Sequence, residues 1–414
     1  MTACSSKLQH ISYVAESAWG EASTSATSAQ TIPTTVMANL AGLGRMMIDP
    51  GRVVQYRNER PKMIPGPFEG DFTVEIEAIG HGSTCAGAVT ATAAETLLGY
   101  AMGAVASPTS ADGTTISGTA STATSLNVAA ASGLLVGQII RLGAKNDGRG
   151  DGQPAVVASH GTSVIALKTA APAAMDTAAD VVYTSINVHT VESTCAVTSL
   201  RMFVKTADTS WCLHGCFIKS IAFTGGAPGT IAKWQITFGV SWMEPITTTF
   251  PDTTTTAAWT TAAVPTAAGS VFMNTYGTAT RATLTARAIS IGITLGIVPV
   301  MGYDGASTSQ MIVGAKRIPD SLKVSMTVDA EGDSATPPWY TAWNTNARQH
   351  LLIAWSVGDG STLSCYFPNL CWSGKQPTQT DLDGLNRVPL ELEAGTDTAG
   401  TTDLSRSAMR WGLA

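Results

Sequence analysis

The chain has 414 residues and a formal net charge of −6, with 13% of its residues charged and 44% hydrophobic. That hydrophobic fraction is ample for a packed core and argues against disorder, and the few Lys and Arg argue against a protein that grips nucleic-acid phosphates. Ordinary soluble domains are roughly 25% charged, so this chain covers little of its exterior with charge, as expected of a subunit whose flanks are buried against neighbours in a large assembly.

Length suggests two or three domains of about 100–200 residues. The opening MTACSSKLQHISYVAESAWG lacks a basic segment followed by an apolar one, so no signal peptide is expected. The most apolar run, IGITLGIVPVMG at 291–302, is too short to span a bilayer as a helix. The seven cysteines are odd in number and scattered, which does not read as a secreted disulfide framework; assembly in a reducing cytoplasm is expected.

In chain order, residues 1–104 read as an N-terminal arm followed by the first part of a main domain. Within them, DFTVEIE at 71–77 alternates strictly, with Phe72, Val74 and Ile76 on one face and Asp71, Thr73, Glu75 and Glu77 on the other, which predicts a strand. In TAAETLLGYAMG at 92–103, Leu97, Leu98 and Met102 lie at helical spacing behind Glu95, and Gly103 suits a stop, so a short amphipathic helix is predicted. From 105 to 184 short apolar runs alternate with Gly, Pro and Asp turns, the pattern of an inserted small β-barrel or sandwich module.

Residues 185–246 resume the β pattern and contain the strongest signal in the chain, GCFIKSIAFTGGAPGTIAKWQITFGVSW at 215–242. Two extended runs carrying Phe217, Ile218, Ile231, Trp234, Ile236 and Phe238 flank a turn around Gly225 and Gly226, so a long β-hairpin is predicted. A hairpin this apolar is only marginally stable alone, and contact with a neighbouring subunit is the expected partner surface. Residues 247–269 are Thr/Ala/Pro-rich without a core-forming period and read as a linker. Residues 270–414 form a second β-rich portion with a C-terminal arm, with strands near 282–300, 321–328, 350–357 and 361–367 and a helix near 337–346. The two portions share a layout, which suggests an internal duplication.

Motifs for chemistry are missing. Cys212 and Cys216 flank His214, but no second close pair completes a zinc signature, and on one extended strand both thiols would share a buried face. Asp381 and Asp383 begin like a calcium loop, yet Leu385 and Leu392 occupy ligand positions. The Arg-Gly-Asp at 149–151 lies in a run of turn formers. No hydrolase or metalloprotease motif occurs, so neither catalytic residues, a metal nor a cofactor is expected.

Four segments in this order, FEGDFTVEIEAIG, ETLLGYAMG, the 215–242 hairpin and FPNLCWSGKQPTQTDLDGLNRVPLELEA, resemble the tail tube (major tail) proteins of long-tailed bacteriophages. The resemblance covers most of the chain outside the insert. It implies a mainly β fold, an antiparallel β-sandwich or barrel with a short helix per repeat, whose subunits close a β-barrel around a channel and stack as rings through arms and a long hairpin loop. It implies self-association into hexameric rings or trimeric, pseudo-hexameric ones, with length and the two portions favouring the trimer. It also implies other tail proteins at the tube ends, double-stranded DNA passing without specific binding, and a place in the virion tail. Asp71, Glu75 and Glu77, three carboxylates on one strand face without interleaved basic residues, are then the lumen-facing candidates, and the insert is expected on the tube exterior, expendable for assembly. The alternative function is a virion or cell-surface adhesin whose Thr/Ser-rich modules bind glycans or a receptor.

Overall fold

A computed structural model describes residues 10–20, 29–32, 34, 40, 43–48, 64–81, 91–107, 114–116, 121–129, 133–144, 153–171, 180–191, 196–205, 209–225, 230–246, 250, 269–302, 312–318, 322–331, 338–356, 362–374, 376–378, 380–382 and 385–413. The architecture is mainly β and the strand pairs are antiparallel: one network of 17 strands, a separate six-stranded sheet and two isolated two-stranded hairpins. Among the described residues no sheet closes into the barrel that the family resemblance implies. The 149–151 tripeptide and nearly all of the 247–269 linker lie outside the described residues.

The predicted strand Asp71–Glu77 forms, with Phe72, Val74 and Ile76 buried. The helix follows at Ala93–Met102, started by a capping box in which Thr92 and Glu95 each bond the other's backbone N–H. The second carboxylate oxygen of Glu95 meets His81 Nδ1 at 2.8 Å, so this buried acid is fully engaged in fixing the helix start. Gly103, at φ 135°, ends it. Leu97, Leu98, Ala101 and Met102 are buried in the main core, at roughly 1.5–3 kcal/mol for each large side chain.

The longest strand, Ser210–Thr224, joins two parts of the sheet. Residues 211–214 pair with Trp242–Pro245, and 210–216 pair with Leu200–Lys205. Residues 217–224 pair with Lys233–Gly239, the predicted hairpin, and 220–224 also pair with Ala286–Thr294. Between these parts Gly215 adopts φ 57°, and a Cβ there would come within 2.5 Å of Ser241 Oγ. The kink resets the alternation, so Leu213 and Cys216 enter the main core while Cys212 faces the opposite side with Phe203 and Phe250. Cys212 and Cys216 therefore do not share a face, contrary to the expectation from a regular strand.

One pairing scheme occurs twice. In the first portion Asp71–Glu77 pairs with Lys233–Gly239, which pairs with Ser210–Thr224, then Leu200–Lys205, then His10–Ala15. In the second, Lys323–Glu331 pairs with Leu385–Gly395, which pairs with Thr362–Trp372, then Gln349–Ser356, then Gly269–Thr275. Each leading strand follows a two-stranded hairpin, Gly44–Ile48 with Ile64–Glu69 or Ile297–Met301 with Ile312–Arg317, and precedes a helix, Ala93–Met102 or Pro338–Asn344. Ala286–Thr294 bridges the portions, pairing with Ser210–Thr224 on one edge and Lys323–Glu331 on the other.

Neither end of the described chain projects as an arm. His10–Ala15 lies in the sheet with Ile11 and Tyr13 buried, and Arg410–Leu413 is wedged between Ile186–Thr190 and Thr362–Trp372. Trp411 there joins Phe223, Trp234 and Trp355 in one aromatic cluster with centroid separations of 4.8–6.5 Å. The C-terminal arm expected from sequence is thus a core strand.

The six-stranded sheet is built entirely from strands between Thr114 and Tyr183 and has its own core, including Leu126, Ile140, Val157 and Ile165. Its entry and exit are adjacent, because Ala106 and Asn187 are cross-strand partners. It is nonetheless firmly seated. Ile139 and Val156 pack on Phe272, Leu352 and Tyr366, Lys168 pairs with buried Asp397, and the fully buried Arg410 donates to Gly137 O at 2.5 Å. Burial pulls Arg410 down to about 10 and His350, beside Lys168, down to about 4.

Excision therefore has a cost that adjacent ends alone do not reveal. Replacing 108–184 by a short Gly/Ser linker should give a folded protein whose urea-unfolding free energy is roughly 3–6 kcal/mol lower, since Phe272, Leu352 and Tyr366 become exposed and Arg410 loses an acceptor. Adding Arg410→Met should recover part of the loss. An excised protein as stable as the parent would mean that the junction contributes nothing.

Candidate functional site

The register places side chains of six successive strands in straight rows. Facing the core, Ile76, Trp234, Phe223, Ile291, Met326 and Leu392 form one row, all buried. On the opposite face the adjoining rows contain Glu75, Gln235, Ala222, Gly292, Ser325 and Glu393, then Glu77, Lys233, Thr224, Ser290, Thr327 and Glu391. This outer face carries almost nothing larger than Thr except charged groups and Gln, and none of its residues belongs to an apolar cluster.

Asp71, Glu75 and Glu77 lie on that face, as the alternation predicts, with Asp71 exposed and the two glutamates half-buried. They are not free of basic partners. Lys219 Nζ reaches Asp71 at 2.5 Å and Lys233 Nζ reaches Glu75 at 2.6 Å. The first pair exists because Gly239, between them, has no side chain: a Cβ there would meet Lys219 Cε at 2.9 Å and Phe217 Cζ at 2.5 Å. The second follows from Lys233 standing opposite Glu77, one diagonal from Glu75. Arg387 similarly holds Asp329, and Thr73 meets Thr237 at 3.3 Å. Carboxylates still outnumber cations, with Asp71, Glu75, Glu77, Asp329, Glu391 and Glu393 against Lys219, Lys233, Lys323 and Arg387.

The hairpin residues expected to bind a neighbour are mostly used within the chain itself. Trp234, Ile236 and Phe238 are fully buried and Phe217 and Ile218 nearly so; only Ile231 is exposed. A bulge between Ile218 and Ser220 puts Ile221 and Phe223 into the core beside Ile218. Phe217 faces the other way, against Trp19. The apolar surface this hairpin needs is supplied by its own chain, so its buried side chains are not an intersubunit contact.

Exposed large apolar side chains instead gather on the Ile297–Met301 and Ile312–Arg317 hairpin. Val298, Met301, Val313 and the following Ile318 are 43%, 54%, 36% and 47% exposed. Sequence reasoning missed this element because it read 282–300 as one strand region; Gly296, at φ 58°, was the available signal for the break. Buried Arg317 anchors its base, donating to Val191 O at 2.7 Å and to Ala101 O at the helix end.

A further feature belongs to the backbone. Asp71–Glu77 pairs with Lys233–Gly239 on one edge and, among the described residues, with nothing on the other. Its counterpart Lys323–Glu331 is paired on both.

Among the described residues, Cys212, His214 and Glu244 form the only group of three metal-competent side chains. Burial pushes the Cys212 thiol up to about 11, opposed by Arg201, and burial raises Cys216 and Cys365 as well. No helix among the described residues is long and apolar enough to cross a membrane. Compared with known proteins, the chain matches no protein-family model and no curated sequence.

The burial pattern separates two kinds of substitution. Trp234→Asp with Phe238→Asp should abolish the fold, because each change opens a core cavity and buries an unpaired carboxylate, together costing well over about 5 kcal/mol. Val298→Asp with Met301→Asp should leave near-UV circular dichroism and the melting temperature almost unchanged. Retention of native near-UV signal by the first pair would contradict their placement in the core.

Proposed function

We propose that this protein is the structural subunit of a bacteriophage tail tube, forming stacked rings around a channel through which the genome passes. The observation that carries the reading is the outer edge of Asp71–Glu77, along which no described strand pairs. A seven-residue, unbulged edge strand is a template for pairing with another chain, and its counterpart in the second portion has that edge filled by Ala286–Thr294. A strand from a neighbouring copy would repeat the same join between subunits and continue the sheet towards closure. The repeated scheme supports rings of three subunits with six quasi-equivalent sectors.

In this arrangement the outer face described above lines the bore. Its small polar side chains leave little for bases to stack on, and its modest excess of carboxylates repels phosphate without a dense negative field. Pairing by Lys219 and Lys233 keeps the carboxylates ordered while lowering the net charge. The apolar hairpin at Val298, Met301 and Val313 contacts the next ring, the kind of surface that a lone soluble subunit rarely displays. Other tail proteins meet the tube at its ends. No catalytic residue or cofactor enters this function. Its setting is the virion tail, assembled in the host cytoplasm.

Electron microscopy of the purified protein at rising concentration tests the reading: rings and tubes are expected, and discrete monomers at every concentration would overturn it. Val298→Asp with Met301→Asp should yield folded subunits that form rings at most, with tubes absent; ordinary tubes would remove the hairpin from the assembly. For the bore, Thr73→Lys, Gln235→Lys and Glu393→Lys, all exposed positions, should leave tubes intact while slowing DNA ejection, because every ring would then attract phosphate. Ejection at the parental rate would remove this face from the channel.

A further inference from the structure

The Cys212, His214 and Glu244 group plays no part in the proposed assembly. Cys212 and His214 are two residues apart on the Ser210–Thr224 strand, before the kink at Gly215, and Glu244 is the direct cross-strand partner of Cys212 on Trp242–Pro245. Their ligand atoms all lie within 4.8 Å of one another. A tetrahedral zinc site with bonds of about 2.0–2.3 Å places such atoms roughly 3.3–3.6 Å apart, so small rotations about the side-chain torsions would close the set.

We infer that these three side chains bind a single zinc-class divalent cation, with water in the fourth position. The donor set selects the metal class: thiolate with imidazole suits a borderline-soft cation and excludes magnesium and calcium. His214 is held for the purpose. Its ring stacks on Trp242 at 3.9 Å, nearly parallel, and its Nε2 already points at Glu244 Oε1, 3.1 Å away. The charges close, because a thiolate, a carboxylate and a neutral imidazole around a divalent cation sum to zero. Arg201 donates its Nε hydrogen to Cys212 Sγ at 3.1 Å, an outer contact that favours the ionised sulfur. The nearby carboxylate of Glu16 accepts from the N–H groups of Gly20 and Gly215 and is not a ligand. Glu244 is 43% exposed at its side chain, which gives the ion a route in from solvent. Bound there, the cation would fasten Trp242–Pro245 to the longest strand just before the chain leaves for the Thr-rich segment.

Cobalt(II) is the probe. Full-length protein stripped with a chelator and titrated with cobalt should develop one equivalent of thiolate-to-cobalt charge-transfer absorption and tetrahedral visible bands, both displaced by zinc. Cys212→Ser should lose the charge-transfer band and Cys371→Ser should keep it. Because Cys212 is buried and its variant could fail to fold, Glu244→Gln supplies the second arm: cobalt affinity should fall roughly tenfold or more with the melting temperature of the stripped protein unchanged. Absence of the band in the parent, its survival in Cys212→Ser, or unaltered affinity in Glu244→Gln would each overturn the site. Since the readout is spectroscopic and needs no tubes, it succeeds or fails independently of the tail-tube reading.

Discussion

The fold depends on how one strand, Ser210–Thr224, changes face. A regular fifteen-residue strand can serve only one sheet plane, because its side chains alternate without interruption. Here Gly215 and the bulge before Ser220 reset the alternation twice, so that Leu213, Cys216, Ile218, Ile221 and Phe223 all reach one core although they do not share a parity. Gly215 is required for the first reset, since a left-handed backbone in contact with Ser241 and Trp19 leaves no room for a side chain. With that strand fixed, Lys233–Gly239 and Ala286–Thr294 pair on its two edges, and the two portions become one continuous surface.

The same strand explains how a chain so poor in charge manages an entire face of solvent-exposed sheet. Core rows of Ile, Phe, Trp and Met supply the apolar burial, which leaves the opposite rows free to be small and polar. Exposed pairs such as Lys219 with Asp71 contribute little stability. Their effect is electrostatic, because each cancels a carboxylate that would otherwise add to a one-sign field. Gly239 is the enabling residue, lacking the Cβ that would block Lys219 on its way across to Asp71.

Much of the secondary structure was legible because its signals are local. The alternation of 71–77, the Thr92 and Glu95 pair with Gly103 at the helix stop, and the Gly225 turn each lie within a few residues of the element they define. What sequence could not provide is register. The lysine partners of Asp71 and Glu75 lie roughly 150 residues away in sequence and become neighbours only through strand pairing. Glu244 joins His214 and Cys212 by the same route, so a zinc search limited to close Cys and His spacings passes over it. The apolarity of Trp234 and Phe238 was visible, but not the surface that buries them: an alternating strand reads alike whether its partner belongs to its own chain or to another.

That ambiguity has a physical resolution here. Large aromatic side chains are enriched both in cores and at the centres of interfaces, and this chain places Phe223, Trp234, Trp355 and Trp411 together in its own core, with the strand Arg410–Leu413 locked among them. In the proposed tube, association falls to other means: an edge along which no described strand pairs, and an exposed hairpin of medium-sized apolar side chains. Edge pairing costs little side-chain ordering and is indifferent to side-chain identity, whereas an aromatic anchor would require a fitted pocket on every neighbour. In that proposed arrangement, a subunit built this way folds completely on its own and still retains surfaces suited to repetition.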